Sequence, residues 1–92
     1  MGFDVLDMIS RAEKAFHVKI QKEDVGRLMC VRVPADCTAG ELHDYLCDLC
    51  RSSGQPVPWS SWGRVKIVLM HSLGAAPSQI RHDSLLKRDL GM

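Results

Sequence analysis

Three separate stretches of the chain repeat apolar residues at the spacing of an α-helix, with prolines and glycines standing between them. Val5, Ile9, Ala12 and Phe16 form the first stripe, widened by Leu6 and Met8. Leu42, Tyr45, Leu46 and Leu49 form the second, and Trp62, Val65, Val68, Leu69 and Leu73 the third. A helical repeat puts a strand's apolar residues on both faces of a sheet, so this pattern predicts an all-α fold. The end signals agree with it. Asp4 and Asp7 oppose the positive end of a helix running from 3 to 16. Thr38-Ala39-Gly40-Glu41 spells a capping box for a helix ending near Cys50. Ser60 or Ser61 caps the third helix, and Gly74 followed by Pro77 stops it. Gln21-Lys22-Glu23-Asp24 opens a short additional helix that Gly26 limits, while Leu28 to Val33 reads equally as strand or as extended chain. Ser52 to Pro58 is a linker, and Ile80 to Met92 a loop with at most one helical turn. The expected architecture is a small four-helix bundle in one domain over 1–92, with a long C-terminal loop.

Charge narrows the function classes. The net charge of +1 lacks the strong positive excess of a nucleic-acid binder. Residues 1–50 carry −3 and residues 51–92 carry +4, so two opposed halves are expected to attract each other. No apolar run approaches the roughly 20 residues of a membrane-spanning helix. Met1-Gly2-Phe3-Asp4 lacks the basic and apolar regions of a secretory signal, which predicts a cytoplasmic protein with reduced thiols.

The segments carry a further pattern. Asp4-Val5-Leu6-Asp7-Met8 through Glu13-Lys14-Ala15-Phe16, then Val18-Lys19-Ile20 with Glu23-Asp24, then Thr38-Ala39-Gly40-Glu41-Leu42 follow one another in the first part. Val65-Lys66-Ile67-Val68-Leu69 to Leu73-Gly74, Asp83-Ser84-Leu85 and Asp89-Leu90-Gly91 follow in the second. These resemble segments of the acyl carrier protein family in circularly permuted order. Residues 1–51 resemble carrier helices two to four, 52–60 is a linker, and 61–92 resembles helix one and its loop. The resemblance covers most of the chain, with 26–37 and 52–60 as departures. It implies a carrier-like domain whose attachment serine is replaced by Gly2, so that no phosphopantetheine arm is carried and the domain acts as a protein–protein interaction module. Asp4, Asp7, Arg11, Glu13 and Lys14 would then form the partner-binding face, with enzymes of acyl or secondary metabolism as implied partners. The alternative is a working carrier modified with phosphopantetheine at Ser84. Closing the circle would also bring the Met92 carboxylate to the amino end of the first helix, and it allows a monomer or a dimer that swaps the 60–92 segment.

Other constellations are sparser. Cys47 and Cys50 form a Cys-x-x-Cys, and with Cys30 and Cys37 they offer four thiolates for a zinc-stabilised adaptor, with His43 able to replace one. Spacing does not supply a second close pair, so the expected metal is none. His17, His43, His71 and His82 are scattered, and a Cys–His pair assembled by the fold stays open. No nucleophile, base and oxyanion set stands out, which predicts that the protein is not an enzyme. Trp59 and Trp62 are read as core anchors or a lid, with an interaction surface as the alternative. Arg81, His82, Lys87 and Arg88 form a small basic patch on the terminal loop.

Overall fold

The computed structural model describes the backbone of residues 2–30 and 36–91, and the side chains of that set except 2–6 and 22. Asp4 as a docking side chain, and the closing of the chain ends at Met1 and Met92, lie outside the described residues. Four α-helices follow in order: α1 Gly2–Phe16, α2 Lys22–Met29, α3 Ala39–Ser52 and α4 Ser61–Leu73. A 3-10 turn, Pro77–Gln79, precedes the C-terminal turns. Among the described residues there is no sheet, only an isolated antiparallel bridge between Thr38 and Leu85.

The apolar stripes read from the sequence meet in one core. Met8, Ala12 and Phe16 of α1 face Val65, Val68 and Leu69 of α4, and Leu42, Leu46 and Cys50 of α3 close the third side. Val25 and Met29 of α2 add a flank, and Ile80, Leu86 and Leu90 bring the C-terminal loop into the same core. Burial of these side chains is the main favourable term, at about 1.5–3 kcal/mol for each large one. The chain from 61 to 91 is therefore held to the first half by apolar packing. The ion pairs between described residues, Arg11–Asp7, Arg27–Asp24, His43–Asp44 and Arg51–Asp48, are all local. The opposed charge of the halves thus contributes no described salt bridge across the core.

The capping box at Thr38 forms as the sequence predicts. Thr38 Oγ1 accepts from the Glu41 amide at 3.1 Å, and Glu41 Oε1 accepts from the Thr38 amide at 2.7 Å. The next two first-turn amides, which no helical carbonyl can serve, go to the C-terminal loop. Ala39 donates to the Ser84 carbonyl at 2.9 Å and Gly40 to the His82 carbonyl at 2.8 Å. This docks the loop on the head of α3. Gly74 ends α4 in the left-handed conformation, φ 68°, as its sequence position implies.

Two boundaries differ from the expectation. α2 runs through Gly26 to Met29, because Val25 and Met29, four residues apart, are both buried; that burial exceeds the roughly 1 kcal/mol a helical glycine costs. At α4, Ser60 is the N-cap but its hydroxyl makes no cap bond. It accepts instead from Arg64 Nε at 3.2 Å, while Ser61 turns to His43.

Candidate functional site

The expected docking face on α1 takes a different electrostatic form once α4 lies against it. Asp7 Oδ2 accepts from Arg11 Nε at 2.8 Å, and this bond holds the Asp7 carboxyl below its ordinary range. Glu13 accepts the amide of Ile20, seven residues further on, at 2.8 Å, which fixes the α1–α2 turn. Lys14 has no hydrogen-bond or ion-pair partner among the described residues. From the opposite wall α4 contributes Arg64 and His71. These side chains surround a groove of about 380 Å3 floored by Ala15, Ile67 and Val68. Ile67 is 55 % exposed. Arg64 anchors the end of the groove, its guanidinium donating to the Ala15 carbonyl at 2.5 Å. Asp7 and Glu13 are thus engaged within the chain, and Arg11, Lys14 and Arg64 border the groove.

Beyond Arg64 a second concavity, about 480 Å3, lies between Phe16, Gln55, Pro56 and Trp59. Trp59 is 98 % exposed and so is not the core anchor the sequence allowed. Trp62, the second residue of α4, is partly buried and stacks on His82 with ring centroids 3.9 Å apart.

Ser84 sits inside the loop. It is 6 % exposed; its hydroxyl donates to the Gln79 carbonyl at 2.9 Å and accepts from the Arg81 amide at 3.0 Å. Gly2 lies at the first position of α1. Cys30 is exposed, whereas Cys37, Cys47 and Cys50 are buried. Burial, and then the neighbouring Cys47, push the Cys50 thiol up from its ordinary value. Among the described residues no three His, Cys, Asp or Glu side chains gather as a metal site.

One carboxylate that the sequence did not single out organises the C-terminal loop, and one contact that spacing does not predict joins α3 to α4. Asp36 is 5 % exposed and accepts three backbone amides: Cys37 at 2.8 Å and Lys87 at 2.9 Å on Oδ1, and Arg88 at 3.1 Å on Oδ2. Burial opposes its ionisation, but these amides together outweigh it and hold the carboxyl below its usual range. The contact is between His43 and Ser61. His43 Nε2 lies 2.8 Å from Ser61 Oγ and 3.5 Å from Cys47 Sγ. Spacing within α3 suggests the His43–Cys47 pair, since they are one turn apart; nothing in the sequence links His43 to a serine eighteen positions on.

Compared with protein-family models, with curated proteins and with solved structures, the chain matches none. Among the described residues no helix is long and apolar enough to cross a membrane.

Proposed function

We propose that this chain is a protein-interaction module without a prosthetic arm, and that it docks its partner in the α1–α4 groove. The observation that carries this reading is the collar of Arg11, Lys14, Arg64 and His71 around an apolar floor that leaves Ile67 more than half exposed. Exposed apolar surface with basic side chains on its rim is the pattern of a recognition site, with the apolar centre supplying affinity and the rim selecting the partner. Charge complementarity assigns the partner an amphipathic segment rich in Asp and Glu. The arm-free reading is supported by Ser84, whose hydroxyl is buried and occupied as both donor and acceptor. Attaching a phosphodiester there would require opening the 79–86 loop.

Two measurements test the proposal. Incubation with coenzyme A, magnesium and a broad-specificity phosphopantetheinyl transferase is expected to leave the intact mass unchanged while a control carrier gains its arm. A gain mapped to any serine overturns the arm-free reading. A photo-crosslinking residue in place of Ile67 is expected to capture an acidic protein from the native host, and Lys14→Glu is expected to abolish that product. Capture that is indifferent to Lys14→Glu removes the groove as the docking site.

A further inference from the structure

At the N-terminal end of α4, away from the groove, a hydroxyl pairs with an imidazole, and a carboxylate lies near the ring's other nitrogen. Ser61 Oγ is 2.8 Å from His43 Nε2. On the other side of the ring, Nδ1 is buried and forms no hydrogen bond; the nearest charged oxygen is Asp44 Oδ1 at 3.4 Å. A bare Nδ1 lone pair would face that carboxylate repulsively, so the favoured tautomer carries its proton on Nδ1. Nε2 is then an acceptor, and Ser61 donates its proton to it. This is the arrangement in which an imidazole acts as a base toward a serine.

The surroundings suit an acyl group. Ser61 is the first residue of a thirteen-residue helix. Its own amide is bonded to the Pro58 carbonyl, and the Arg64 amide is the first to reach back to Ser60. The Trp62 and Gly63 amides therefore precede the helical ladder, at the end of the helix where the macrodipole favours negative charge. A Cβ added at Gly63 would meet nothing within 4 Å, so the space beside this turn is open. The stacked Trp62 and His82 rings form an aromatic wall, and each meets the His43 ring edge-on at 5.7 and 6.0 Å. Cys47 also faces Nε2, but it is 5 % exposed, while Ser61 is only partly buried.

We propose that Ser61 is a nucleophilic hydroxyl activated by His43, which takes an acyl group from an activated ester. Ser61 Oγ bonds to the carbonyl carbon as its proton passes to His43 Nε2. The bond from that carbon to the leaving alkoxide or phenolate breaks, and the proton on Nε2 goes to the leaving oxygen. The products are an acyl-Ser61 ester and a free alcohol or phenol. Water, deprotonated by the same nitrogen, then releases the carboxylic acid and restores the hydroxyl. The site lies outside the docking groove, and the inference does not depend on the proposed partner.

The test uses the full chain with 4-nitrophenyl acetate, following nitrophenol release and mapping the acetyl group by peptide mass. The expected result is one acetyl group on the peptide containing Ser61, absent in Ser61→Ala. His43→Gln keeps a hydrogen-bonding group near Ser61 but cannot take its proton; it is expected to slow acetylation about 100-fold. Cys47→Ala is expected to retain the reaction, and circular dichroism of each variant checks that the helices persist. Acetyl groups confined to lysines or to Cys47, or equal rates in Ser61→Ala and the parent protein, overturn the proposal. So does a folded-protein rate no higher than that of the same chain unfolded in urea, a comparison that needs no variant to fold.

Discussion

Replacing Asp36 by asparagine tests whether a single buried carboxylate holds the C-terminal loop. Oδ1 serves the Cys37 and Lys87 amides and Oδ2 serves Arg88. If the asparagine oxygen takes the Oδ1 position, its NH2 faces the Arg88 N–H, donor against donor. One hydrogen bond to a charged acceptor is then lost and two are reduced to neutral ones. At about 1.5–3 kcal/mol for a charge-assisted bond and about 1 kcal/mol for a neutral one, the three changes sum to about 2.5–7 kcal/mol, reduced by the desolvation penalty that a neutral amide escapes. A domain of this size is stable by roughly 5–14 kcal/mol, so the loss is a large fraction of the whole. Urea unfolding at neutral pH reads it as a lower midpoint with an unchanged slope. The pH dependence supplies a second, independent readout. The folded-state pKa of Asp36 lies below its ordinary 3.8. Its contribution is therefore complete above the unfolded value and is lost as pH falls through the folded one. The gap between parent and variant is expected to be widest near neutrality and to narrow in acid. A variant within about 0.5 kcal/mol of the parent, the range of an ordinary surface substitution, would refute the stapling role. So would a gap that stays constant into strong acid.

Three further outcomes follow from buried contacts. Gly40→Ala would place a Cβ 2.8 Å from the His82 backbone oxygen, which cannot swing away as a side chain does; thermal unfolding is expected to show a loss of about 1–3 kcal/mol. Tyr45, the single tyrosine, has its phenol pushed up to about 12 by burial and then by Asp24, whose Oδ2 accepts its hydroxyl at 3.3 Å; an ultraviolet titration is expected to show its ionisation above the usual phenol range, and to move down in Asp24→Asn. Under native conditions maleimide is expected to label Cys30 first, with Cys37, Cys47 and Cys50 reacting only on unfolding, as mass spectrometry of the labelled peptides would show.

The sequence by itself determined the helices and most of their ends. Capping at Thr38, termination at Gly74 and the stripes of α1, α3 and α4 depend on residues three or four positions apart, so a short window contains all the physics they need. Where the contact is distant, the sequence was silent or pointed elsewhere. Gly26 reads as a helix limit until Val25 and Met29 are seen to be buried. The bond from the Ile20 amide to Glu13, and the approach of Arg64 and His71 to the side of α1 that carries Lys14, appear only in the fold. Asp36 meets amides fifty-one and fifty-two positions away, and His43 meets a hydroxyl eighteen away. Tertiary structure alone decided these, because the pairing of a polar side chain is fixed by which backbone and side-chain groups packing of the apolar stripes brings within about 3 Å of it.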